Sequence, residues 1–354
     1  MYKYSLSTLG LLVLDYAEGT KEVKNDLLRR FNPECIFKCN FGDFNSPLTN
    51  SIKILVENVN YLLEELDKKQ IKLLSIFDEE YPTSLKNIDN SPKLLYLKGN
   101  ADLLNTTCIA VVGTRKPTRY GIKVTEDFVR EFALNGLTVV SGMARGLDTV
   151  AHKTCIELEK PTIAVFGSGV EVCYPAENRW LYDAILKSGG LLVSEYKPDV
   201  KPLQFHFPER NRIICGLSKG VFIAEASLKS GSIISARLAV EQGKELFVVP
   251  GNVNSEASMG TNALIKEMQG AITLSPSDVL ETLNVKIAKP VERETVQLSF
   301  YAQKAVEALY EGELHFEELL SKVDVSASEL TSLLTELEIM GIVVRLAGNY
   351  YALA

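Results

Sequence analysis

Between Cys108 and Leu274 the sequence alternates short, largely apolar runs with helix-length amphipathic segments. The runs are CIAVV (108–112), LTVVS (137–141), TIAVFG (162–167), LLVSE (191–195), GVFIAEA (220–226), ELFVVP (245–250) and a weak AITL (271–274). The segments between them begin near Arg119, Asp148, Glu177, Pro208, Gly231 and Thr261. A strand that is apolar along its whole length must be covered on both faces, and helices between such strands supply the cover and the parallel crossover. The expected fold is α/β: a doubly wound, mostly parallel, Rossmann-like sheet. Its ligand should sit at the carboxyl ends of the strands.

The flanks read differently. Residues 1–70 form a small helical N-terminal domain, with Ile52, Leu55, Val56, Val59, Leu62, Leu63 and Leu66 on one stripe that predicts a helix over 51–70. The stretch 77–100, with its prolines, reads as an extended connector with one helical turn. The Rossmann-like domain is assigned to 71–284 and a charged linker with Pro290 to 285–297. The segment 298–354 reads as three helices and then two short strands around Ala-Gly-Asn, the outline of a winged helix-turn-helix.

Charge bears on the choice of partner. The chain has 38 Lys/Arg and 45 Asp/Glu, a net charge of −7. Four of the basic and eleven of the acidic residues lie between Val291 and Ala354, which leaves 34 of each sign elsewhere. The acidity therefore belongs to the C-terminal segment, and the main body is neutral with local basic clusters. Six cysteines without a CxxC and three scattered histidines assemble no zinc ligand set by spacing. No apolar run approaches membrane-span length, so a cytoplasmic protein with no membrane contact is expected.

Four glycine-bearing turns follow strands: Gly113-Thr114-Arg115, SGMARGLD (141–148) with Gly142 and Arg145, Gly167-Ser168-Gly169, and SLKSGSIIS (227–235) with Ser230, Gly231 and Ser232. Glycine lets backbone N–H groups approach an anion closely, hydroxyls add donors, and a following helix start adds a positive dipole end. One such turn often does no more than reverse the chain. Four on one sheet edge would line a continuous groove, with Arg115 and Lys116 beside it. G-x-G-x-x-G is incomplete and no G-x-x-x-x-G-K-[ST] occurs, which disfavours dinucleotide and P-loop sites.

Arg210, Asn211 and Arg212 stand together just before an apolar stretch read as a helix. Guanidinium groups bind phosphates through paired hydrogen bonds. Alternatively, one of the two pairs with a buried carboxylate such as Glu225. Phe205 and Phe207 are either stacking surfaces or core. Asp148 and His152 are one helical turn apart, but no activated nucleophile accompanies them; Asp148 reads as a helix N-cap. No catalytic residue, metal site or cofactor is assigned.

Taken in order, YPTSLKNIDNSPKLLYLKG, VVGTRKPTRYG, VVSGMARGLDTVAH, GSGVEVCYPAEN, FPERNRIICGLS, EASLKSGSIISA and FVVPGNVNSEASMGTNALI resemble the DNA-processing protein A (DprA/Smf) family over about Phe77–Leu280. The resemblance implies a bacterial cytoplasmic protein that binds single-stranded DNA without catalysis. It also implies dimerisation through the Rossmann-like domain and loading of the RecA recombinase onto incoming strands in natural transformation. Gly113, Thr114, Arg115, Gly167, Gly169, Arg210, Asn211 and Arg212 match its motifs. Where the family often has a lysine after Tyr-Pro, this chain has Ala176 and Glu177, and Arg179 is the candidate replacement. The helix over 326–340 carries only acidic charges, so for the tail a protein contact competes with weak DNA contact through Arg345. Two other classes remain: a nucleoside monophosphate phosphoribohydrolase, whose PGGxGT-x-x-E loop is only faintly matched, and a mononucleotide sensor.

Overall fold

The computed structural model describes residues 3–42, 46–267, 269–285, 298–310 and 312–353. The expected linker, apart from Val285, lies outside the described residues. The chain divides into two compact units, 1–287 and 288–354.

Five helices open the first unit: α1 (Leu6–Tyr16), α2 (Lys21–Arg30), α3 (Pro33–Phe37), α4 (Pro47–Glu57) and α5 (Val59–Lys68). Helix α1 buries every residue from Thr8 to Leu14. Gly10 permits this, because a Cβ there would lie 1.8 Å from the carbonyl oxygen of Pro33. The stripe over 51–70 is helical but broken. Asn58, at φ −103° and ψ 11°, ends α4 and starts α5, and its side-chain amide donates to the Ile54 carbonyl.

The sheet follows. Its elements are β1 (Ile71–Ser75), α6 (Thr83–Lys86), β2 (Leu94–Gly99), β3 (Cys108–Val111), α7 (Arg119–Leu134), β4 (Thr138–Ser141), α8 (Leu147–Glu157), β5 (Thr162–Val165), α9 (Arg179–Lys187) and β6 (Leu191–Ser194). They continue with α10 (His206–Leu217), β7 (Gly220–Ile223), α11 (Gly231–Glu241), β8 (Glu245–Val248), α12 (Met259–Lys266), β9 (Ala271–Ile272) and α13 (Pro276–Thr282). The strand order is β1-β2-β6-β5-β4-β3-β7-β8-β9. All neighbours from β6 to β9 are parallel, while β1–β2 and β2–β6 are antiparallel. The stretch 77–100 is thus more than a connector: it contributes α6 and the strand β2.

Alternation along the strands sorts the core. Ala110, Val140 and Ile163 pack with α6, α10 and α11. Ile109, Val111, Val139 and Phe222 pack with α7, α8 and α13, where Phe128 stacks on Phe222 at 4.6 Å. The N-terminal helices share a core with Leu73, Tyr96, Ala164 and Leu192, so they cover the remainder of one face. The chain direction reverses across the sheet between β3 and β7, where successive connections leave in opposite directions. A crevice at the carboxyl ends of these strands is the consequence.

The second unit holds α14 (Phe300–Leu309), β10 (Leu314–His315), α15 (Phe316–Val323), α16 (Ala327–Ile339), β11 (Val343–Arg345) and β12 (Tyr350–Leu353), with strand order β10-β12-β11. Leu319, Leu330, Leu334, Leu337 and Tyr351 form its core. This is the expected winged helix. Among the described residues no helix is long and apolar enough to cross a membrane.

His152 on α8 is fully buried; its Nδ1 lies 2.9 Å from Thr162 Oγ1 and its Nε2 has no partner among the described residues. Burial holds its pKa down at about 3, with the Arg210 charge acting in the same direction. The unfolded chain takes up a proton near pH 6.5 that the folded chain refuses. The stability contributed by neutral His152 is therefore complete above that pH and is lost as pH falls toward about 3. Between pH 7 and pH 5 the wild type should lose about 2 kcal/mol more than His152→Gln, each measured by urea unfolding against its own pH 7 value. Parallel pH profiles for the two proteins would contradict this assignment.

Candidate nucleic-acid interface

A cleft of about 910 Å³ opens at the β3/β7 reversal. Its floor begins with the turn after β3. Thr114 N–H donates to the Glu225 carbonyl, and Thr114 Oγ1 accepts from Lys116 N–H at 3.2 Å. Glu225, buried at the end of β7, accepts from both the N–H and the hydroxyl of Thr118, the N-cap of α7. These bonds hold the backbone of 113–118 while the Arg115 and Lys116 side chains stay exposed. No ion pair engages either cation among the described residues. The Arg115 guanidinium lies 5.9 Å from the Phe207 ring centre, an arrangement in which cation and ring attract.

Opposite stands the start of α11. Ser230 is its N-cap and accepts from Ser232 N–H, and Lys229 precedes it. Lys229, Ser230, Gly231 and Ser232 all line the cleft. The dipole of an eleven-residue helix favours an anion there. Nothing lies within 4 Å of a Cβ built on Gly231, so the backbone is open to a ligand. Tyr174 and Phe207 supply ring surface, with centroids 5.4 Å apart.

The second turn supports this arrangement from beneath. Gly146 adopts φ +77°, and a Cβ there would lie 2.3 Å from Thr114 O; Leu147 N–H donates to that same oxygen. Gly146, and not Asp148, is the N-cap of α8. Asp148 instead accepts from Gly142 N–H and Ala144 N–H with one buried oxygen. Burial raises its pKa, and the nearby Arg210 charge opposes that rise.

The three adjacent polar residues of 210–212 are inside α10, four residues past its start, and they part company there. Arg210 is only 4% exposed. Its Nη1 donates to the Gly142 carbonyl at 2.7 Å and to the Val165 carbonyl, and its Nε to Asn211 Oδ1 at 3.1 Å. Burial lowers its pKa to about 10, while Asp148 works to raise it. Arg212 points elsewhere and forms a partly buried ion pair with Glu195, not with Glu225. Its Nη1 has no partner among the described residues. Both arginines are therefore committed to protein groups, although Arg210 and Asn211 still reach the cleft wall.

Of the residues singled out in the sequence, Gly113, Thr114, Arg115, Lys116, Arg210, Asn211, Ser230, Gly231 and Ser232 meet at this cleft. The third turn does not join them. A Cβ on Gly167 would meet Phe207 at 2.9 Å, one on Gly169 would meet Lys197 O at 2.1 Å, and Ser168 is 1% exposed with its hydroxyl donating to Val172 O. This turn lies two strands from the reversal, under Phe207 and the 197–198 backbone. Gly142 faces Arg210, with only 2.6 Å between a built Cβ and the guanidinium. Arg145 is held by Glu177 through two bonds of 2.7 and 2.8 Å, and Arg179 pairs with Asp183 over the Tyr182 ring. Sequence reasoning passed over Lys229, Tyr174 and Gln204, which line the cleft. Lys229 was legible as a cation next to the N-cap serine.

Comparison with known proteins adds a second line of observation. Residues 72–284 match the family model for DNA recombination-mediator protein A, and residues 292–349 match that for the DprA winged helix domain. Protein Smf of Escherichia coli is 37% identical over 303 residues, covering 81% of this chain and 79% of its own. DNA processing protein DprA of Streptococcus pneumoniae is 44% identical over 206 residues, covering 58% of this chain and 72% of its own. The X-ray structure of Streptococcus pneumoniae DprA superposes with a TM-score of 0.60 at 34% identity, covering 78% of this chain and 93% of the other. A Helicobacter pylori DNA processing protein A, solved for its "unique single-stranded DNA binding mode", superposes with a TM-score of 0.56 at 37% identity, covering 61% and 96%.

The geometry separates supporting arginines from available ones. Arg210→Leu should lower stability by about 3–5 kcal/mol, because it leaves two carbonyls and Asp148 without their cation. Arg115→Ala should stay within about 0.5 kcal/mol of wild type. Urea unfolding of both variants measures this, and equal losses would refute the division.

Proposed function

The chain belongs to the DNA recombination-mediator protein A family, and from that premise we propose that the cleft at the β3/β7 reversal binds single-stranded DNA. The observation that carries the reading is the pair of exposed cations, Arg115 and Lys116, lining with the serine-capped start of α11 a cleft that also offers Phe207 and Tyr174. A phosphate fits between guanidinium and helix N-terminus, and an unpaired base fits against a ring face. A duplex hides its base faces within the stack, so ring surface beside phosphate donors selects single strands. The single-strand binding of the Helicobacter pylori relative supports the same reading.

The role that follows is that of a recombination mediator without catalysis, acting in the cytoplasm. It protects incoming single strands and helps load the RecA recombinase in natural transformation. Two copies joined through the Rossmann-like domain would present two clefts to one strand, which multiplies modest single-site affinity. An effect of this protein on RecA nucleation rate over bare and coated single strands addresses the loading step.

Binding itself is tested by anisotropy of a labelled oligo-dT across a salt series, with duplex as competitor. Wild type should prefer the single strand and weaken as salt rises. Arg115→Ala should bind about tenfold more weakly and lose roughly one unit of salt slope. A protein that ignores single strands at low salt, or binds a mononucleotide unaffected by DNA competitor, would overturn the proposal.

A further inference from the structure

The single tryptophan of the chain, Trp180, stands 50% exposed in the first turn of α9 and makes no ring contact among the described residues. Such a side chain on a surface costs solvation, and indole is the strongest of the side-chain stacking platforms for cations and a good one for bases. Its place in the fold gives it a use. Tyr174, 47% exposed, lines the cleft, and the chain runs from it through a single 3₁₀ turn, Ala176–Asn178, into Trp180. The two residues stand six positions apart in the chain, with Asn178 between them.

The segment between them is anchored to the cleft. Asn178, buried, donates to Met143 O and to Thr149 Oγ1, both at 2.9 Å, which ties it to the turn beneath Arg115. Its only exposed carboxylate, Glu177, is matched by Arg145 through two hydrogen bonds. Phosphate passing over this surface meets a neutralised pair, not a bare negative charge. Phe207 and Tyr174 pair at the cleft, and along the chain the exposed Tyr174 and Trp180 flank this neutral pair.

We infer that single-stranded nucleic acid leaving the cleft continues over the Tyr174–Asn178 turn and stacks a base on Trp180, making α9 a second contact that sets the path of the strand. This rests on the reading of the cleft as a single-strand site. Arg179 contributes by position only, since Asp183 and the Tyr182 ring hold its guanidinium.

Trp180 is also the native reporter. Saturating a twenty-nucleotide oligo-dT should quench its fluorescence by a third or more. By anisotropy, Trp180→Leu should bind that oligonucleotide at least fivefold more weakly, while Trp180→Phe stays within twofold of wild type. Unmoved fluorescence at saturation, or wild-type affinity in Trp180→Leu, overturns this inference while Arg115-dependent binding leaves the cleft reading intact. Absence of any oligonucleotide binding by the wild type overturns both.

Discussion

One guanidinium holds the working edge of the sheet together. Arg210 reaches from α10 to the carbonyls at the ends of β4 and β5 and lies beside the buried Asp148, which in turn fixes the Gly142–Ala144 backbone. Removing an ion this deep from water is expensive, and its hydrogen bonds together with Asp148 offset the cost. The consequence is positional. With the second turn held from below, Gly146 can press against Thr114, and the turn after β3 is fixed where its arginine must point outward. Arg115 is then available because Arg210 is not.

The same economy governs charge. A chain of net charge −7 would repel a polyanion if its charge were evenly spread. Here the cleft gathers Arg115, Lys116, Lys229 and a helix N-terminus against two carboxylates, the exposed Glu256 and the buried Asp148, which feels the Arg210 charge. The acidic residues concentrate in the C-terminal unit. Helix α16 carries Glu329, Glu336 and Glu338 and no basic residue, so this helix lacks the positive charge with which a recognition helix approaches phosphates.

The fold was legible because parallel strands covered on both faces must be apolar at nearly every position, and the predicted segments meet the observed helix starts within two residues. Strand β2 was not legible: LLYLKG carries no alternation, and the prolines around it suggested a connector although they stand outside the strand. Asn58 could not be seen to break a helix from a stripe that continues through it. At the site, glycine after a strand announced all four turns equally. What distinguished them was distance from the β3/β7 reversal and the cover laid by Phe207 and Lys197-Pro198 over the third. Likewise Arg210 and Arg212 look equivalent in sequence. Two residues apart on a helix they point in different directions, one to the cleft wall and one to Glu195.

The central claim is that the strand is held between the turn after β3 and the start of α11. Amide hydrogen exchange with and without a saturating oligo-dT tests it most directly. The account predicts slowed exchange over 113–117 and 229–233, with the buried 167–169 turn and helix α16 unchanged. Protection confined to the winged helix, or none at the β3/β7 reversal, would contradict it.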